Sequence, residues 1–151
     1  MKKAILVVLS ALLIISFAAA IGKAPGPNPE TAYTITAPYD YPVLPGTAEW
    51  AKLQTLEEKI QACAVEESLM RSMTTQALLE TVVRYPLLAN IYAFDRIEDG
   101  LASVGAYFPG LDLLMQRADL DTCIQQALES RPNSTLEEGY LRILQHYQPA
   151  P

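Results

Sequence analysis

Thr74-Thr75-Gln76-Ala77-Leu78-Leu79-Glu80-Thr81-Val82-Val83-Arg84-Tyr85-Pro86-Leu87-Leu88 is the stretch on which the fold turns. Leu78, Leu79, Val82 and Val83 recur at spacings of one, three and four, with Tyr85 close behind. That is the pattern of an apolar stripe on a helix, not of a strand, whose side chains alternate at period two. Thr74 or Thr75 can open the helix by accepting a free backbone N–H. Pro86 closes it, because proline offers no N–H and disfavours helical geometry in the residue before it. Leu87, Leu88, Ile91 and Tyr92 then repeat at i, i+1, i+4 and i+5, which predicts a second, short and buried helix directly after the stop.

The same grammar extends in both directions. Upstream, Trp50, Leu53, Leu56, Ile60 and Cys63 form a stripe with Thr47 as N-cap after Pro45-Gly46. Thr55 and Glu58 can form a capping box inside it, so this is one helix or two. A short segment from about Glu66 to Met73 follows. Downstream, Asp95 is placed to cap a helix carrying Ile97, Leu101, Val104 and Phe108, which Pro109-Gly110 ends. Leu111, Leu114 and Met115 make a further turn or two. Asp119 can cap a helix that buries Leu120, Cys123, Ile124, Ala127 and Leu128, with Arg131-Pro132-Asn133 as its stop. Ser134 and Glu137 offer a capping box ahead of Leu136, Tyr140, Ile143, Leu144 and Tyr147. The expectation is an all-α domain over residues 47–148, a compact bundle or array of about six to eight short helices packed obliquely. No repeat of constant period is visible, which argues against a regular solenoid.

The N-terminus reads as an address. Lys2 and Lys3 precede an uncharged apolar run from Ala4 to Phe17 and the small residues Ala18-Ala19-Ala20, the three-part form of a secretory signal peptide over residues 1–20. Cleavage fits after Ala20, with a cut after Ala24 as the alternative. The stretch from Ala4 to Gly22 also approaches the roughly 20 residues that span a bilayer, so an uncleaved anchor stays open. Both readings put the rest of the chain outside the cytoplasm, secreted or associated with the cell envelope. No cysteine lies near either cut, which argues against a lipid anchor. Losing Lys2 and Lys3 leaves nine basic side chains against seventeen acidic ones and moves the formal charge from -6 to -8. An acidic chain without a basic stripe is a poor partner for phosphate backbones, so no nucleic acid is expected.

Between signal and helices, residues 21–46 form a proline-rich arm. Pro25, Pro27, Pro29, Pro38, Pro42 and Pro45 exclude helix and favour extended backbone. Its second half carries Tyr33, Ile35, Tyr39, Tyr41, Val43 and Leu44, more apolar surface than a solvated linker needs. One reading lays this half across the helical domain and buries the rings. The other makes Tyr33, Tyr39 and Tyr41 a partner-binding strip. Tyr33-Thr34-Ile35-Thr36 is the one place where apolar and polar residues alternate.

Catalytic and metal patterns fail in turn. The sole histidine, His146, lies near the C-terminus, and no serine or cysteine sits in a recognisable nucleophile setting. Cys63, Cys123 and His146 are too few for a structural zinc. Asp95-Arg96-Ile97-Glu98-Asp99-Gly100 resembles the start of a calcium loop, but Ile97 holds the third place and Ala106 the twelfth, where a glutamate is required. Glu57-Glu58, Glu66-Glu67 and Glu137-Glu138 are neighbours at helix starts. Glu80 interrupts an apolar helix and reads as an exposed residue paired with Arg84 at i, i+4. Cys63 and Cys123 lie 60 residues apart. Export permits a disulfide between them, which would contribute about 4 kcal/mol on the loop-entropy account; as free thiols they would be small buried hydrophobes. Asn133-Ser134-Thr135 is formally a glycosylation sequon.

One resemblance emerges from the motifs Pro45-Gly46-Thr47 with Glu49-Trp50, Ala62-Cys63, Met73-Thr74-Thr75, Leu78-Leu79-Glu80-Thr81, Tyr85-Pro86-Leu87-Leu88 and Tyr92-Ala93-Phe94. It continues through Gly100, Phe108, Gly110-Leu111 and Leu113-Leu114 to Arg117 and Asp119. Over residues 41–120 the chain resembles a group of uncharacterised exported bacterial all-helical domain proteins. Val65-Glu66 departs from that pattern, where a proline is expected. The resemblance implies fold and export and carries no catalytic residue. The functional expectation is a secreted, non-enzymatic module that needs no cofactor and binds a protein or another extracellular or envelope macromolecule, with membrane contact only through an uncleaved signal segment. The alternatives are a small secreted hydrolase using carboxylates such as Glu80, Asp95 or Glu98, and a structural spacer.

Overall fold

The structure, a computed structural model, describes residues 33–131 and 135–147. The signal segment, residues 21–32 of the arm, the Ser134 cap and the start of the sequon lie outside the described residues. Within them every regular element is a helix: α1 Ala48–Lys52, α2 Leu56–Ala62, α3 Glu67–Ser72, α4 Thr75–Val83, a 3-10 helix Leu88–Ala93, α5 Ile97–Gly105, α6 Gly110–Met115, α7 Leu120–Ser130 and α8 Thr135–His146. None of them is long and apolar enough to cross a membrane.

Helix α4 is the centre. Eight of its nine residues are buried, Glu80 and Thr81 among them, as expected of a helix with little polar surface anywhere on its circumference. It packs against α6, α7 and α8. Thr74 Oγ1 caps it by accepting from Ala77 N at 3.2 Å, and the chain leaves it at Arg84, two residues before Pro86. Glu80, which the sequence reads as exposed, is 9% accessible; the i, i+4 reading considered only its own helix, whereas α7 and α8 close over that face.

The remaining side of α4 is covered by the arm. Met73 and Thr74 are extended, so the junction between α3 and α4 has backbone groups to satisfy. Thr34 N and Ile35 N donate to Ser72 O at 3.0 and 3.1 Å, and Thr74 N donates to Ile35 O at 2.8 Å. The four-residue strand suggested by the sequence is therefore a single parallel bridge, Ile35 to Met73. Further along, Tyr39 N donates to Thr81 Oγ1 at 2.9 Å and the Tyr41 hydroxyl donates to Thr81 O at 3.0 Å.

Local signals elsewhere resolve in instructive ways. The Trp50 to Cys63 stripe is two helices, α1 capped by Thr47 and α2 opened by the Thr55–Glu58 capping box. Gly46, at φ 89°, makes the turn that leads into Thr47. Asp95 does not cap α5; Arg96 holds that position without a side-chain bond. Asp119 holds the N-cap position of α7, but its carboxylate accepts from Thr75 Oγ1 at 2.6 Å instead of from the helix. Tyr92, expected to be buried, is 50% exposed. At three residues per turn Leu88 and Ile91 share the inner face, and Tyr92 is carried off it.

The 3-10 helix and α5 touch at Gly100. A Cβ there would lie 2.7 Å from Ile91 Cα and closer still to its carbonyl, so both backbones must move to admit one. Gly100→Ala is expected to destabilise by about 3 kcal/mol, the scale of an overpacked core, read as a lower denaturant midpoint with an unchanged slope.

Candidate functional site

The feature best suited to recognition is a groove of about 610 Å3 between the second half of the arm, the α4 exit around Tyr85-Pro86 and the first turns of α8. Its arm wall is stiff for local reasons. Pro38, Pro42 and Pro45 fix the backbone, and Thr81 holds it from beneath by the two bonds to Tyr39 and Tyr41. The Tyr39 and Tyr41 rings meet edge to face at 5.0 Å, Tyr41 lies 5.8 Å from Tyr85, and Tyr85 stacks on Phe108 at 4.0 Å. The floor is thus a chain of rings continuous with the core. Burial pushes the Tyr41 and Tyr85 hydroxyls well above the ordinary tyrosine range.

The lips of the groove are apolar and open. Leu44 on the arm is 45% exposed and Leu136 on α8 is 57% exposed, and both line it. Tyr92 stacks on the lining residue Tyr140 at 6.0 Å. The rim carries Asp40, Arg84 and Glu137. Arg84 lies 3.5 Å from Glu80, and Glu137 lies 3.3 Å from Arg131. Asp40 is exposed and has no ion-pair partner among the described residues.

Behind the groove, Glu80 organises a buried charge cluster. Its carboxylate accepts from Arg131, at the end of α7, and from Gln76 Nε2 at 3.2 Å. Arg131 reaches on to Glu137 in the first turn of α8. Three helices are tied at one point, and the start of α8, with Leu136 and Tyr140, is placed relative to α4.

The tyrosine strip read from the sequence is divided by the fold. Tyr41 is 5% exposed with its hydroxyl already donated, so its ring serves the interior. Tyr39 is half-buried and lines the groove. Tyr33 stays 45% exposed but lies apart from the groove, under the Arg117 guanidinium at 4.0 Å; Arg117 in turn donates to Met70 O and Arg71 O at 3.3 Å. Cys63 and Cys123 are free and buried, not bridged. Cys63 closes α2 beneath the arm, with Sγ 4.0 Å from Val43 O, whereas Cys123 lies 4.0 Å from Asp119 on α7. Burial raises both thiol pKa values, with the Asp119 charge adding to the rise at Cys123, which keeps them protonated and unreactive.

His146 and Glu98 line a second cleft of about 480 Å3 between α5 and α8. Glu98 is the one carboxylate there, and it lies 3.6 Å from Arg96. The carboxylates named for the hydrolase alternative are therefore dispersed: Glu80 in the arginine cluster, Glu98 in this cleft, Asp95 exposed on the loop before α5. Among the described residues, no group of three His, Cys, Asp or Glu side chains could hold a metal ion. Leu136, Tyr140, Tyr85 and Asp40 were not legible as a site, because it is assembled from segments some forty to ninety residues apart.

Two measurements probe this construction. Tyr41 and Tyr85 hold their protons more tightly folded than unfolded, so their contribution is complete below the unfolded pKa of about 10 and is lost progressively as pH rises from there through the higher folded value. Stability from urea unfolding should fall above about pH 10, and Tyr41→Phe should flatten that fall while lowering stability at neutral pH. Separately, Glu80→Ala and Arg131→Ala should each cost about 2 kcal/mol by removing a charged hydrogen bond from a largely buried cluster in which Arg84 and Gln76 remain beside Glu80 and Glu137 beside Arg131, with the double variant losing less than the sum.

No protein-family model, curated protein or solved structure matches this chain.

Proposed function

We propose that this chain is an exported, non-enzymatic helical module that binds another extracytoplasmic protein by seating a segment of it in the arm groove. The observation that carries the reading is the gathering of Leu44 and Leu136 at one opening: two large apolar side chains, one from the arm and one from α8, left in water around a floor of packed rings. Scattered exposed hydrophobics need no explanation, but a contiguous apolar surface with a polar rim is characteristic of a recognition site. The residues at hand also suit binding better than turnover. Among the described residues no serine, cysteine or histidine lines the groove, and of the two carboxylates there Glu137 is already engaged by Arg131, which leaves no facing pair of the kind glycoside hydrolysis uses. The cationic start, apolar run and alanine site of residues 1–20 support placing the module outside the cytoplasm.

A photoreactive residue at position 136, in full-length protein expressed with its own leader, should yield a discrete protein adduct in the extracytoplasmic fraction. The same residue at Leu56, exposed on α2, is the control. Equal labelling from both positions, or no adduct from 136, would sink the reading.

A further inference from the structure

Backbone chemistry at this groove selects the kind of segment it takes. A partner strand added along the arm would need a regular row of free donors and acceptors on alternate residues. On one alternate set, Pro38 and Pro42 have no N–H. On the other, Pro45 has none and the Tyr39 N–H is already given to Thr81. The Leu44 carbonyl is occupied as well, accepting from Thr47 N at 3.1 Å and Thr47 Oγ1 at 2.7 Å. Strand addition finds no continuous edge.

What the walls do offer is the half-buried Tyr39 ring with the pyrrolidines of Pro38, Pro45 and Pro86, over a floor in which Tyr85 and Tyr140 are buried. A polyproline II segment fits such a surface, because it needs no backbone partner, presents a ring at intervals of three residues and loses little entropy on binding. Charge adds direction. Asp40 is the rim acid without a partner among the described residues, and the whole chain carries a formal charge of -6. Resting on the groove reading above, we infer that the occupant is an extended, proline-containing peptide segment flanked by lysine or arginine, its prolines packed against Tyr39 and the wall pyrrolidines and its cation over Asp40.

The test uses the full chain with methyl-labelled leucine and alanine and a short blocked peptide carrying proline at every third position and lysine at each end. Leu44, Leu136 and Ala89 signals should shift on titration. The same peptide with alanine for proline should bind roughly tenfold more weakly, having lost both ring contacts and pre-ordering. Asp40→Lys should weaken the original peptide about fivefold, with the difference shrinking at high salt; Asp40 is exposed and outside the core, and an unchanged melt confirms the variant is folded. Equal binding of the alanine peptide, stronger binding of a helical peptide, or concentration-dependent shifts of the same signals without peptide, which would make a second copy the occupant, each overturn the inference. If the position-136 adduct forms but the proline peptide fails to compete it away, this inference falls alone; if no adduct forms, the groove reading falls with it.

Discussion

Everything in this molecule depends on enclosing α4. A helix apolar on nearly every face cannot settle against one neighbour and leave a solvated side; it has to be surrounded. Helices α6, α7 and α8 supply three sides, and the arm supplies what they leave uncovered. Thr81 carries the last part of that task. Its hydroxyl donates to Ala77 O at 2.8 Å while accepting from Tyr39 N, and its carbonyl accepts from Tyr41. One small polar residue on the core helix therefore fixes the wall of the groove some forty residues away in sequence.

Glu80 meets the same requirement on the adjoining face, about 100° around the helix. A carboxylate on the central helix is acceptable only if its charge is answered, and Arg131, Arg84 and Gln76 answer it. Because Arg131 also reaches Glu137, the charge that had to be neutralised became a brace for α8. The two walls of the groove are in this sense by-products of satisfying two polar residues on one buried helix, Thr81 towards the arm and Glu80 towards α8.

Local grammar was readable wherever the deciding forces are local. Thr47, Thr74 and the Thr55–Glu58 box cap as their spacing requires, and Pro86 and Pro109-Gly110 separate the helices where proline chemistry says they must. What escaped reading depended on neighbours distant in sequence. Asp119 matches a cap by type, but Thr75 draws its carboxylate away. Glu80 looked surface-bound until Arg131 arrived from the far end of α7. Tyr92 was misplaced because a period of 3.6 was assumed where the turn is 3-10. The groove was half legible: the arm's excess of tyrosine marked one wall, while Leu136 and Tyr140 carried no local sign that they would face it.

The clasp of the arm on Thr81 has a consequence for how the chain becomes itself. Synthesis proceeds from the N-terminus, so Tyr39 and Tyr41 emerge about forty residues before the hydroxyl and carbonyl that will hold them. During that interval a segment rich in aromatic rings stands unprotected. Its prolines, which later stiffen the groove, meanwhile deny it the unbroken amide row that nascent chains use to stick to one another. The same ring chemistry that shapes the finished wall thus acts earlier as a guard on the unfinished polypeptide.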